Sequence, residues 1–337
     1  LDLYNKTTRD LLLEAPVLNI SGYPKAWQNI GSIRNSGIEL SLNASLVDTR
    51  NFQWSMTANM THNKSKILKL GQSGAPIYLG ISCLNDQSAV ILREGGSVGE
   101  LYGYRAVGLY QLDEFDTSTG ATGSTIYTLK SGIPSQGVGE QPGSVKLADL
   151  DDNKKIDDSD REVIGNFLPD VYGAFSTTFN WKSLNLYLGF QYSIGNDMYN
   201  ANYVMTASYT GDGSNQIGRW MKRWIPANQT DDPLYYSQIP TKLVSSAHVE
   251  EASFLRFSTA RLTYTFPAKL LSRTKHVEMC KFYVSADNLY TFTKYSGYDP
   301  EVGISQNSAS AILSQGFDYG NFPHARTFTF GVNLSFK

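Results

Sequence analysis

Cysteine is nearly absent: Cys83 and Cys280 are the only two, and they lie far apart. A disulfide framework is therefore excluded, while one bridge or two free thiols both stay open. Hydrophobic residues make up 41% of the 337, yet no run of about 18 apolar residues occurs, which excludes a helical membrane protein. Neither charge sign is in marked excess. With 29 Lys and Arg against 31 Asp and Glu, the net charge of −2 supplies no basic surface for nucleic acid and no acidic tail. Catalytic signatures are also missing. His62, His248, His276 and His324 are scattered, and no H-E-x-x-H, G-x-S-x-G, P-loop or C-x-x-C is present. The glycine-rich Gly211-Asp212-Gly213-Ser214 reads as a loop turn, and the carboxylate pairs Asp113/Glu114 and Asp231/Asp232 as solvated loop charges rather than a glycosidase pair. The chain does not read as an enzyme, and no organic cofactor is expected. It opens Leu1-Asp2-Leu3-Tyr4, with no basic or apolar leader. An export signal is therefore expected upstream, in a longer or cleaved polypeptide.

What is abundant points to strands. Aromatics reach 12%, with 21 Tyr and 16 Phe, and β-sheets favour such residues. From Thr327 to Phe336 every even position except Val332 is Phe or Leu, and every odd one is small or polar. Strand side chains alternate faces, so this pattern builds one oily and one wet face. Ile38–Leu46, Phe52–Thr61 and Leu184–Ile194 repeat it; Tyr172–Trp181, Phe254–Phe266 and Lys281–Phe292 carry weaker versions, and Leu1–Leu13 reads as a further candidate. These segments run to the roughly 9–11 residues that a tilted membrane strand needs, beyond the ~5–6 of ordinary globular strands. Tight links at Asp48–Asn51 and Trp181–Leu184 alternate with very long ones, and counting back from the C-terminus puts every long link on one side. Short turns on one side and long loops on the other are the mark of outer-membrane barrels. Glu39, Asn43, Gln53, Asn59, Gln191 and Asn333 on the wet face call for water or a polar plug. The fold class read here is all-β: an antiparallel transmembrane β-barrel wall over residues 1–337. Its long extracellular loops fall at about 64–170, 195–253 and 293–325. With about eight spanning strands, its edges need partner strands from elsewhere.

Several ordered segments carry a family resemblance. They are Asn29–Leu40; Gly95–Tyr110 with Gly99-Glu100-Leu101-Tyr102-Gly103-Tyr104; Pro142–Val145 running into Asp149–Gly165; Phe254-Leu255-Arg256 before Leu262–Pro267; Asp287–Glu301; and the terminal strand. On these residues the chain resembles the C-terminal barrel region of SusC/RagA-type TonB-dependent transporters of Bacteroidetes. The resemblance implies a 22-stranded barrel with an N-terminal plug. It also implies contact with TonB through an N-terminal region absent from this chain, and a multi-pass place in the lipid and LPS outer membrane of a Gram-negative bacterium. Energised import of oligosaccharides or peptides, beneath a SusD-like lipoprotein, is implied as well. The chain departs from the family in ending Phe336-Lys337 rather than on an aromatic. A passive porin-type barrel and a soluble carbohydrate-binding β-sandwich are the competing readings.

One local motif suggests a metal. Asp149–Asp160 follows the spacing of a calcium loop, with Asp149, Asp151, Asn153, Asp157 and Asp160 as side-chain ligands and the Lys155 carbonyl between them. Six acidic residues in twelve repel one another unless a cation or water screens them. An all-oxygen set favours structural Ca²⁺ over Mg²⁺. The motif departs from its model at Lys154, where glycine usually makes the turn, and at Asp160, where Glu is usual. The alternative is an acidic, solvated loop. Trp220-Met221-Lys222-Arg223-Trp224 reads either as a stacking platform for substrate or lid, or as loop packing. Tyr102, Tyr104, Tyr110, Tyr295 and Tyr298 invite the same two readings.

Overall fold

A computed structural model describes the chain except for residues 17–24, 72–73, 138, 207–214, 238–243, 274–275, 302–314 and 337. The side chains of 12–30 and of Met205 are likewise not described. The Gly211–Ser214 turn and the terminal Lys337 lie outside the described residues.

Eight strands form one sheet: β1 (Asp2–Pro16), β2 (Lys25–Asp48), β3 (Phe52–Leu70), β4 (Val171–Trp181), β5 (Leu184–Ile194), β6 (Phe254–Thr265), β7 (Val277–Thr293) and β8 (Thr327–Phe336). Their order in the sheet is their order in the chain, and every neighbouring pair is antiparallel. At one end, β2–β3 and β4–β5 are joined by a few residues. The second of these turns places Lys182 at φ 54°, in the left-handed region that side chains enter at a cost. The Lys182 amide is held by the Asn51 carbonyl at 3.0 Å. The third link at this end, between β6 and β7, is longer and carries a short helix, Ala268–Leu271. At the other end lie the segments 71–170, 195–253 and 294–326.

Register assigns the faces. Phe328, Phe330, Val332 and Leu334 stand opposite Ala286, Val284, Phe282 and Cys280. Leu40 and Leu42 face Met60 and Ala58, which in turn face Gly173 and Phe175. All these apolar positions share one face, and it is not covered: Phe330 is 70% exposed and Phe336 66%. One detail departs from the alternation. A register shift between Ser45 and Val47 puts Val47 opposite Trp54, so Leu46 is the extra residue of a bulge. Glycines on the wet face leave room for tyrosines. A Cβ on Gly331 would lie 2.3 Å from the Tyr283 ring, which occupies that space.

The long segments carry strands and a core of their own. β3 continues to Leu70, past residue 64 where alternation fades. Beyond it, Ile77–Ile81, Gln87–Leu92, Glu100–Tyr104 and Arg161–Asn166 form a four-stranded sheet. Asp197–Asn200, Val249–Glu251 and Phe317–Asp318 form a three-stranded sheet drawn from two long segments. A core of Leu84, Val90, Leu101, Phe167, Tyr199, Val244 and Phe317 joins all three segments. The buried apolar mass of the described residues therefore sits in this cap. The wall strands contribute to it mainly at their cap ends, through Ile67, Leu70 and Phe254.

Candidate functional site

The site of interest is the polar face of the wall and the cap folded over its end. Along the wall, polar side chains pair across strands. Thr57 donates to Asn43 Oδ1 at 2.9 Å, Asn185 to Asn180 Oδ1 at 2.7 Å, and Thr259 to Asp287 Oδ1 at 3.0 Å. The Arg261 guanidinium lies 4.1 Å from the centre of the Tyr283 ring. Such a surface is stable against water and costly against hydrocarbon.

At the cap end of this face stands an ionic cluster that pattern reasoning missed. Arg256 on β6 pairs across the sheet with Gln191 and Thr291 on the wet side. Its guanidinium donates to Asp299, to Glu301 and, at 3.2 Å, to Thr291 Oγ1. Gln191 donates to Glu301 at 2.7 Å, and His324 Nδ1 lies 2.6 Å from Asp299 Oδ2. Arg256 and Asp299 are buried, with side chains 3% and 6% exposed. Burial pushes the Asp299 carboxyl up. Hydrogen bonds from His324 and the Glu301 amide, with the Arg256 charge, outweigh it and hold the group below the usual carboxylate range. A lowered folded value means the contribution is fully present above the ordinary carboxylate pKa, and is lost as pH falls through the lowered one. The cluster ties the segment after β7 down onto the wet wall. Sequence held the parts, in Phe254-Leu255-Arg256 and Asp299-Pro300-Glu301, but they are 43 residues apart and only the fold joins them.

The cap centre holds a second polar group. His248 is fully buried, 3.4 Å from the hydroxyls of both Tyr199 and Tyr236. Burial pulls its pKa down to about 4, assisted by the Arg219 charge, so it is neutral at physiological pH. Burial pushes Tyr199 and Tyr236 up, so both phenols stay protonated. Neutral His248, between the two protonated phenols, is part of the packed interior of the cap.

The aromatic candidates divide. Trp224 is 4% exposed, packs with Tyr104, Leu109 and Tyr236, and donates through Nε1 to Gln111 at 3.0 Å. Tyr110 donates to the Pro134 carbonyl at 2.6 Å, and Tyr295 to Asp318 Oδ2 at 2.7 Å, both from buried positions. These residues are core, which the spacing alone did not reveal. Met221 and Tyr298, more than 80% exposed, remain available to a partner or substrate.

In the acidic loop, ligand oxygens of Asp149, Asp151 and Asp160 lie within 4.8 Å of one another. Asp157 is not in this group: its Oδ1 accepts from the Ser159 amide at 2.9 Å and caps the short turn Asp158–Asp160. Asn153 Oδ1 accepts from the Lys155 amide at 2.7 Å. Lys154 adopts φ 67°, the turn that glycine usually makes, and its amide donates to Asp149 Oδ2 at 2.8 Å. Asp160 is fully buried and takes the Leu150 and Asp157 amides at 2.7 and 2.8 Å. The triad is thus a compact oxygen cluster whose members already accept amides. Cys83 and Cys280 are both free thiols.

The architecture defines a class: an antiparallel wall with one exposed apolar face, one polar face and a folded cap, as in transporter barrels. The relatives fall in the same class. TonB-dependent receptor P3 of Formosa agariphila is 32% identical over 99% of this chain. TonB-dependent receptor SusC of Bacteroides thetaiotaomicron is 24% identical over the whole chain. A structure of the RagAB peptide transporter matches 98% of the chain with a TM-score of 0.70 at 24% identity, and shows the same fold. The chain is thus similar over nearly its whole length to part of TonB-dependent receptors, SusC among them. It spans about a third of their length, 32% of P3 and 30% of SusC. No family model matches it.

Proposed function

We propose that this chain is wall and outer cap of an outer-membrane, TonB-dependent importer of oligosaccharides or peptides, and that it acts without catalysis. The observation that carries the reading is the inverted burial: the wall's Phe, Leu and Val rows are exposed while the cap holds the core. An exposed apolar sheet face on this scale is stable only against lipid or another apolar layer. The remaining barrel and the plug come from the rest of the same polypeptide, pairing with the open edges of β1 and β8. A SusD-like lipoprotein closes the outer mouth, TonB supplies energy through an N-terminal region, and substrate passes along the polar face. Disruption of the complete gene is expected to abolish uptake of its oligosaccharide or peptide, and loss of TonB to do the same. Uptake that persists without TonB would instead mark a passive porin.

We propose further that Asp149, Asp151 and Asp160, with Asn153, the Lys155 carbonyl and Asp157 drawn in, hold a structural Ca²⁺ that stiffens the acidic loop. A hard cation suits clustered carboxylate oxygens. Calcium is expected to slow proteolysis within 149–160 in the intact protein, and Asp151→Asn to remove the effect. Equal cleavage with calcium and with chelator would contradict the assignment.

A further inference from the structure

The polar face of the wall carries two cations that the fold does not neutralise. Arg261 on β6 stands between Tyr187 of β5 and Ser285 of β7. One row nearer the turns, Tyr283 lies between Thr263 and Gly331, and in the row beyond, Lys281 lies between Thr265 and Asn333. In the row on the cap side, Asp287 takes the Thr259 hydroxyl at 3.0 Å. Among the described residues, neither Arg261 nor Lys281 makes an ion pair. What holds Arg261 is a ring. Its guanidinium lies 4.1 Å from the centre of Tyr283, and that ring occupies the space a Cβ on Gly331 would need. Stacking engages the flat side of a guanidinium and leaves its N–H edge open. Arg256 on the same strand is the contrast: it is buried and closed by Asp299 and Glu301, whereas Arg261 is exposed.

We infer that Arg261, backed by Tyr283 and assisted by Lys281, binds a carboxylate of the imported substrate, so that the cargo is an acidic oligosaccharide or peptide. The inference rests on the importer reading above and narrows its substrate. Three features choose this ligand. A guanidinium fork matches a carboxylate through two parallel N–H···O bonds. A second cation two rows along the same face adds attraction for a negative group and none for a neutral one. The ring fixes the guanidinium without a counter-charge, so a passing ligand meets an oriented donor and displaces no acid to reach it. A structural arginine is closed by the fold's own carboxylates, as Arg256 is; this one is oriented and left open.

The test uses the complete transporter in nanodiscs and a mixed pool of uronic-acid oligosaccharides and casein peptides. The pool is offered either with its carboxylates free or after methyl esterification, and bound ligand is read by native mass spectrometry. The wild type is expected to retain members of the free pool and to lose them on esterification. Arg261→Gln is expected to lower retention of the free pool about tenfold and to leave the esterified pool unchanged. Arg261→Lys, which keeps the charge and loses the fork, is expected to fall between. Lys281→Gln is expected to have the smaller effect of the two glutamine variants. Equal retention by wild type and Arg261→Gln would hand the guanidinium to a carboxylate elsewhere in the complete protein and overturn the site. A wild type that holds both pools equally, or neither, would overturn it as well. The importer reading fails separately, on uptake that does not depend on TonB.

Discussion

An arginine in place of Phe330 is expected to cost the wall about 2–4 kcal/mol when it folds into a bilayer, whereas an arginine at Thr329 is expected to cost little. The two residues are neighbours on β8, and the register turns them to opposite sides. Phe330 stands opposite Val284, and Thr329 opposite Ser285. At position 330 the guanidinium must enter hydrocarbon or drag water with it, while at 329 it meets the polar side, opposite Ser285. Denaturant titration of the complete protein in lipid vesicles reads the difference. A wall whose Phe330 side met water would show no such contrast.

The second large effect concerns the ionic tether. Arg256→Met is expected to destabilise the segment after β7 by up to about 3 kcal/mol, because it leaves the buried Asp299 carboxylate with His324 and two backbone amides but without its guanidinium. The pair is desolvated, with both side chains under a tenth exposed, so water cannot take over the lost contact. Hydrogen exchange at Glu301 and at Phe317–Asn321 is expected to quicken. Asp299→Asn in the same chain is expected to restore most of the loss, since the unpaired charge is then gone. If the single variant exchanged as slowly as the wild type, the tether would be ornamental.

The wall was legible in the sequence because two solvents write on it. Lipid on one side and water on the other impose a period of two, and Thr327–Phe336 carries it almost without a break. That signal fades in Asn63–Leu70, where β3 rises into the cap and Ile67 and Leu70 turn inward to a protein core. The cap itself was illegible for a different reason. Its three-stranded sheet joins Tyr199 to Phe317 and to Val249, pairings set by tertiary packing with no local pattern. The same cause hid the fate of the aromatics, since burial of Trp224 and exposure of Met221 are decided by neighbours far along the chain. The acidic loop lay between these cases. Spacing named Asp149, Asp151 and Asp160 together, and their carboxylate oxygens lie within 4.8 Å of one another. It did not reveal that the Asp157 carboxylate caps the turn Asp158–Asp160.

The central claim is that the two faces of this sheet meet two different solvents, and a cysteine scan along Thr327–Phe336 tests it most directly. Each position is spin-labelled in the complete protein in vesicles, with Cys83 and Cys280 replaced, and collision rates with oxygen and with a water-soluble nickel chelate are compared. Even positions are expected to favour oxygen and odd positions nickel, in strict alternation. Even positions shielded from both reagents, as in a face packed on a second protein layer, would contradict the account.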